Sequence, residues 1–329
     1  MAKYLITGVA GFIGSNLAHA LIDRGEDVRG IDNFAHGRWE NIADIVRHFD
    51  FRNADITDAH AIRSACDGVD FVLHQAALGS VPRSIADPVA TNRANVDGTL
   101  RVLEAARDAG VKRVIYASSS SVYGNTPALP KREDMPLNPI SPYAVSKCAG
   151  ELYCQSFYNV LGLETVSLRY FNVFGPRQHP TSQYAAVIPK FIRQMRNRER
   201  PTIFGDGMQR RDFTFIDNVV SANLMACQSQ AHKVCGRSIN VAGGTNHSVH
   251  ELYSLLQRLT GFDGLPVYTD ARSGDVRDSL ADITQAQETL GYSVLVKFSD
   301  GLVKTLEWYT SERAYHAHAM LGSTRLGRE

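Results

Sequence analysis

The sequence contains no apolar run approaching the roughly 18 residues that a membrane-crossing helix needs. Its opening, MAKYLITGVAG, lacks the charged-then-apolar layout of an export signal and reads as a strand and a turn. Charge of one sign is also missing. The formal net charge is +1, which argues against nucleic acid as the main partner but leaves room for a local basic cleft that takes a small anion. The five cysteines (Cys66, Cys148, Cys154, Cys227 and Cys235) form no CxxC pair and leave an odd count. Buried, reduced thiols in a cytoplasmic protein are therefore expected, not a disulfide framework. The 11 histidines show no ligand spacing; His316 and His318 belong to a polar tail, and no metal is expected. There is no internal repeat and no low-complexity segment.

What is present is apolar material in regular pieces. Of 329 residues, 44% are hydrophobic, enough for two lobes or one large α/β unit. Short strands are expected at 3–7, 28–31, 51–54, 71–73, 113–117 and 165–170, with helices running to about Asp23, over 84–109 and over 141–161. Strands alternating with such helices imply a parallel sheet covered on both faces. Beyond about residue 173, loops lengthen and Pro176, Pro180, Pro189, Pro201 and Pro266 interrupt the pattern. Residues 1–173 thus read as one lobe and 174–310 as a smaller one that supplies a substrate pocket. Segments near 212–226 and 237–243 are expected to return to the first lobe, and 311–329 forms a tail.

Two constellations carry chemistry. Gly8-Val-Ala-Gly11-Phe12-Ile13-Gly14 follows the first strand and opens the first helix. Three glycines let the backbone turn sharply and approach a pyrophosphate, which the free N–H groups of the helix end then receive. Asp32 ends the second strand 18 residues past Gly14. A carboxylate there accepts hydrogen bonds from the adenosine ribose and repels a 2′-phosphate, favouring NAD over NADP. Asp55 ends the third strand, where it either meets the adenine edge or caps the next helix, which starts near Asp58.

The second constellation is Tyr143-Ala-Val-Ser-Lys147, whose i, i+4 spacing puts both side chains on one helix face. Tyrosine ionises near 10, too high for a base at neutral pH, but an ammonium and an oxidised nicotinamide beside it favour the phenolate. Ser118 to Ser121 lie at the C-terminal end of the fifth strand, where open α/β sheets bind ligands. A hydroxyl there can pass a proton between a substrate hydroxyl and Tyr143.

With the segments ASSSSVYG (117–124), LRYFNVFGPR (168–177), FGDGMQRRDF (204–213) and RSGDVRDSLAD (272–282), the chain resembles the extended short-chain dehydrogenase/reductase family of NAD-dependent sugar-nucleotide enzymes, from residue 3 to about 309. The resemblance implies a Rossmann-type doubly wound sheet with a C-terminal UDP-sugar-binding lobe. It implies that Ser119, Tyr143 and Lys147 are catalytic. It implies NAD contacts from Gly8, Gly11, Phe12, Ile13, Gly14, Asp32, Asn33, Asp55, Ile56, Gln75, Ala76, Ala77, Asn95, Tyr143, Lys147 and Tyr170. It places Asn172, Arg211 and Arg272 on the diphosphate and Asp275 on the uridine ribose, with Ser120 and Ser121 beside the sugar. Gly79, Ser80, Arg83, Gln178, Ala186, Val187 and Ser279 are further substrate contacts. It also implies a homodimer built as a four-helix bundle from helices near 91–109 and 143–161, for which Leu100, Val102, Leu103, Leu152, Phe157 and Leu161 supply apolar stripes.

The family oxidises C4 of the sugar first and then diverges. Dehydratases carry an Asp-Glu pair, and decarboxylases a glutamate, where this chain has Ser120 and Ser121. Without that acid or base, 4-epimerisation is the simplest outcome. Ser279 resembles the position that gates the C2 substituent, and a small residue there admits an N-acetyl group. The runs HQAALGSVPRS (74–84) and GPRQHPTSQYAAVIPKF (175–191) look most like enzymes of UDP-GlcNAc and UDP-GalNAc, including those acting on their uronic acid forms. UDP-glucose and UDP-glucuronate remain alternatives. A uronate enzyme usually reads FTVYGP with an arginine before Pro-Asp-Met, and this chain has Asn172 and His179 at those places.

Overall fold

The computed structural model describes residues 1–180, 186–270 and 277–311. Arg272, Asp275 and the tail beyond Ser311, with His316 and His318, lie outside the described residues. Among those described, no helix is long and apolar enough to cross a membrane, and all five cysteines are buried and unpaired.

Six strands fall where hydrophobic periodicity puts them: β1 (Lys3–Thr7), β2 (Asp27–Asp32), β3 (Asp50–Asn53), β4 (Phe71–His74), β5 (Arg113–Ser119) and β6 (Glu164–Tyr170). A seventh, Arg237–Val241, lies in the segment expected to return from the second lobe and pairs with β6. The sheet is parallel throughout, in the order seventh strand, β6, β5, β4, β1, β2, β3. Both faces are covered, so the central strands β1, β4, β5 and β6 are largely buried. In β1, Tyr4 and Ile6 join the core on one face and Leu5 the core on the other, as the period of two dictates. The order reverses between β1 and β4, which opens a crevice at their C-terminal ends.

β5 runs two residues further than its apolar core suggests, so Ser118 and Ser119 are sheet residues. The expected 84–109 helix is instead broken. Val81–Ala86 is followed by Pro88–Asn92, a π-helical turn at Arg93–Asp97 and the helix Gly98–Asp108. The break sits at Pro88, which has no N–H to continue the ladder, and Asp87 caps the new start by accepting Ala90 N–H at 2.9 Å. The helix Pro142–Leu161 keeps its expected span. Ser141 caps it by accepting Ala144 N–H at 3.2 Å, and Gly162 ends it in the left-handed region.

The apolar stripes divide. Val102, Leu103 and Phe157 pack into the chain's own core, because their helices must first cover the sheet. Leu152 and Leu161 stay exposed with Val145 and Val160.

Outside the large sheet stand the helices Val187–Arg196 and Val249–Thr260 and two-stranded pairs: Thr202–Phe204 with Val267–Thr269, and Arg210–Asp212 with Asn246–Ser248. A further pair, Val173–Phe174 with Thr214–Phe215, joins them to the end of β6.

Candidate active site

β1 delivers the backbone to Gly8, whose φ is +69°; a Cβ there would lie 2.8 Å from the Ala76 main chain. Gly14 faces back across the turn, and a Cβ on it would stand 2.1 Å from the Gly8 carbonyl oxygen. Gly11 caps the helix Phe12–Asp23 without a side-chain acceptor, and the first intrahelical bond runs from Ser15 N–H to Gly11 O at 3.0 Å. The N–H groups of Phe12, Ile13 and Gly14 are thereby left for an anion at the positive end of the helix.

Asp32 is buried at the end of β2 and accepts Ala10 N–H at 2.9 Å and Phe34 N–H at 2.8 Å. Burial pushes its carboxyl above the usual range, and the two N–H bonds pull it back. Gly37 covers it: a Cβ there would lie 2.6 Å from Oδ1, closing the approach that a ribose needs. Asn33 donates to Asp55 at 2.7 Å, while Asp55 Oδ1 accepts the Thr57 N–H and hydroxyl. The following helix is capped by Asp58, so Asp55 does not serve that role. Ile56, Gln75, Ala76 and Ala77 line the same cleft. Gln75 donates to Asn223 at 3.1 Å and to Tyr170 OH at 3.3 Å. Asn95 accepts Leu78 N–H at 2.7 Å and donates to Ser146 Oγ at 3.0 Å, pinning the loop after β4 to the helix Pro142–Leu161. A glycine cradle, an uncapped helix end and a single carboxylate fit a dinucleotide of the NAD type.

His74 was not singled out in the sequence, yet it braces this floor. Its Nδ1 and Nε2 hydrogen-bond the hydroxyls of Thr7 (2.7 Å) and Thr99 (3.0 Å), and Thr7 Oγ1 accepts Ala76 N–H at 3.2 Å. Burial, with Lys147 nearby, holds the imidazole down at about 3. The unfolded chain therefore takes a proton below pH 6.5 that the folded chain refuses until about pH 3, so His74 lowers stability as pH falls through that window. Asp212 slopes the other way: burial raises it from 3.8 to about 7, so the folded chain takes its proton first. The His74 contribution is isolated by comparing wild type with His74→Gln in urea denaturation. The stability of wild type relative to the variant should drop by about 1.4 kcal/mol per pH unit below pH 6.5; parallel pH profiles would show that His74 is not held neutral.

The proposed catalytic trio comes together at the end of β5. Ser119 and Tyr143 line one wall, the Ser119 hydroxyl draws the Tyr143 pKa down, and Ser119 Oγ accepts Ser121 N–H at 3.2 Å. Lys147 Nζ donates to Ala117 O at 2.7 Å and lies 5.9 Å from the centre of the Tyr143 ring. Burial lowers Lys147 to about 8. Burial also raises Tyr143, with the Ser119 hydroxyl opposing. The Lys147 ammonium is turned to the Ala117 carbonyl. Of the four serines, Ser118 is spent on Glu151, while the Ser121 hydroxyl has no partner among the described residues.

These groups form the wall of a cavity of about 500 Å³, which is within the roughly 300–1,000 Å³ of small-molecule sites. Ile13, Ser80, Ser118, Ser119, Ser120, Ser121, Tyr143, Tyr170, Asn172, Ala186, Arg211 and Ser279 all line it. Asn172 donates to Ser279 Oγ at 3.2 Å and to Asp212 O at 3.0 Å. Arg211 donates to the Arg277 carbonyl at 2.8 Å. A second cavity shares Asn172, Ala186 and Arg211 and adds Val187. Three expected contacts stand apart. Gly79 is exposed, Arg83 reaches His36 at 3.0 Å, and the Gln178 amide donates back to Val173 O at 3.1 Å. None of the three lines either cavity. Gln178 sits on the tight turn after Gly175, which folds its side chain onto its own strand.

The sequence did not single out Lys131 in the first cavity or Lys190, Phe204 and Gln209 in the second. Each is an ordinary residue type, and only tertiary packing brings them to the site.

Residues 4–242 match the profile of the NAD dependent epimerase/dehydratase family. The UDP-glucose 4-epimerase of Mycolicibacterium smegmatis is 39% identical over 314 residues, 94% of this chain and 99% of that one. Among solved structures, the UDP-N-acetylglucosamine 4-epimerase of Methanobrevibacter ruminantium, in complex with UDP-N-acetylmuramic acid, superposes with a TM-score of 0.89 at 39% identity, covering 94% of this chain and 99% of that one. The UDP-glucuronic acid 4-epimerase of Bacillus cereus, in complex with UDP-glucuronic acid and NAD, does so with a TM-score of 0.86 at 33% identity, covering 93% and 98%. With the glycine cradle, the carboxylate at Asp32 and these relatives together, the chain belongs to the NAD-dependent epimerase/dehydratase family, and NAD is its cofactor.

Proposed function

We propose that this protein is a 4-epimerase that interconverts UDP-GlcNAc and UDP-GalNAc, or their uronic acid forms, through a 4-keto sugar. The observation that carries the reading is the cavity in which Ser119 and Tyr143 face Asn172 and Arg211. It joins a proton-transfer group to anion-binding groups in one cavity. The chemistry that NAD, held by the glycine cradle and Asp32, would supply when bound is acceptance and return of a hydride at C4. Tyr143 takes the 4-hydroxyl proton, Ser119 relays it, and Lys147 holds the phenolate. Asn172 and Arg211 keep hold of the diphosphate while the keto sugar turns to present its other face. Tyr143 then returns the proton. Ser120 and Ser121 offer hydroxyls and no further acid or base, so neither dehydration nor decarboxylation is favoured. The exposed Val145, Leu152, Val160 and Leu161 support a homodimer through the helix Pro142–Leu161.

A second reading, a plain uronate substrate, draws support from Lys131. This buried residue lines the same cavity, and no carboxylate pairs with it among the described residues. Proton NMR of the purified enzyme with UDP-GlcNAc, UDP-glucose and UDP-glucuronate in separate tubes, without added NAD, tests both. A growing UDP-GalNAc anomeric signal supports the first reading; product from UDP-glucuronate or UDP-glucose alone moves the assignment to that sugar. Ser279→Tyr should depress turnover of N-acetylated sugars more than that of plain hexoses. An equal effect on both would remove Ser279 from the specificity argument.

A further inference from the structure

Asp212 is fully buried, and no cation pairs with it among the described residues. Its carboxylate is held by main chain alone. Oδ1 accepts Gly243 N–H at 2.9 Å and Oδ2 accepts Ala281 N–H at 3.1 Å. Its own backbone makes two more links: the N–H donates to Ser279 Oγ at 3.2 Å and the carbonyl accepts Asn172 Nδ2 at 3.0 Å. Gly243 comes this close because it lacks a side chain; a Cβ would stand 3.2 Å from Asp212 Oδ1 and 2.9 Å from Phe213 O.

One residue thus ties together the end of β6, the turn after the seventh strand and the segment 277–281. Asn172 and Ser279, on two of those pieces, line the sugar cavity, and Arg211 is the neighbour of Asp212 in its strand. Asn172 has φ of +30°, a conformation that side chains rarely adopt and that persists only when its surroundings over-determine it. The Asp212 carbonyl and the Ser279 hydroxyl both take its amide, which supplies that determination. A buried carboxylate is a poor way to fill a core. Burial raises its pKa to about 7, and an apolar residue of similar size would pack there without desolvation.

We propose that Asp212 is a positioning residue for the nucleotide half of the substrate: without touching it, Asp212 sets the spacing of Asn172, Arg211 and Ser279 around the diphosphate. This rests on the UDP-sugar reading of the site.

The test is calorimetric titration of the NAD-containing enzyme with UDP. Asp212→Asn keeps the shape but turns an N–H₂ toward a backbone N–H, so the clasp loses at least one bond. UDP affinity should fall roughly tenfold, the effect of one buried group left unsatisfied. Retained NAD should be unchanged, and kcat at saturating substrate should change by less than about threefold, because positioning acts on uniform binding. Ser279→Ala keeps the side chain small, removes only the hydroxyl, and should weaken UDP in the same direction. Wild type that fails to bind UDP overturns the reading of the site itself. Wild-type binding with equal affinity in both folded variants overturns the role of Asp212, as does a loss of UDP and NAD in parallel with a fall in melting temperature.

Discussion

Tyr143→Phe should lower kcat by roughly 10²- to 10⁴-fold, the range that a positioned acid–base group contributes. The substitution removes one oxygen. The ring stays against the Lys147 side chain, and the helix Pro142–Leu161 keeps its cap at Ser141. Ser119 loses the phenol oxygen as a proton partner, so the relay ends at the substrate. NAD content should be unchanged, because the cradle at Gly8, Gly11 and Gly14 lies in the turn and helix after β1 and the Asp32 carboxylate ends β2, neither on this helix. UDP affinity should also hold, since Asn172 and Arg211 are untouched. The measurement is turnover by NMR alongside NAD released on denaturation. A variant that retains a tenth or more of wild-type kcat would remove Tyr143 as the base. A variant that has lost NAD would leave the drop in rate unassigned to acid–base chemistry.

Glu151→Ala should lower stability by about 3–5 kcal/mol, the effect of breaking a buried ion pair. Glu151 and Arg169 are 4% and 5% exposed and meet in two bonds, Nε to Oε1 at 2.9 Å and Nη2 to Oε2 at 2.7 Å. Ser238 Oγ adds a bond to Oε2 at 3.0 Å, and Ser118 Oγ donates to Oε1. Arg169 continues to the Tyr123 hydroxyl at 2.8 Å, which donates to Asn240 at 2.8 Å. The alanine variant leaves a guanidinium buried among groups that no longer neutralise it. A melting temperature lower by roughly 10 °C is expected. The effect reaches the site because Tyr143, Lys147 and Glu151 follow one another at intervals of four on one helix face, and the Glu151 charge helps to hold the Lys147 pKa up against burial. Replacing both partners with apolar residues, Glu151→Leu with Arg169→Met, should recover much of the stability but leave kcat depressed. A Glu151→Ala variant that melts within about 2 °C of wild type would show that the pair is not an anchor.

Much of the catalytic half was legible because it is local. The glycine turn needs only a strand before it and a helix after it, and Tyr143 and Lys147 need only one helix, so chain order and spacing carried the reading. Asp32 was legible for the same reason, being the last residue of a strand whose end periodicity marks. The broken helix at Pro88 was missed although its signals, Asp87 and Pro88, stand side by side; an apolar periodicity across the break masked them. A resemblance in sequence does not report how a tight turn folds a side chain back, as the Gln178 amide folds to Val173 O. Of the apolar stripe offered for a dimer, core packing takes Val102, Leu103 and Phe157, since a helix that covers a sheet spends its apolar face there first.

By itself the sequence determined the parallel sheet, the cofactor turn, the catalytic helix and the serine-rich strand end, since each depends on neighbours within one or two elements. Only the tertiary structure decided which serine lies by Tyr143 and which is taken by Glu151, and that Asp212 joins three distant segments behind Asn172 and Ser279. It also showed that burial raises the Tyr143 phenol. Those features depend on which groups are desolvated together and on distances between residues far apart in the chain. Neither has a signature in local spacing.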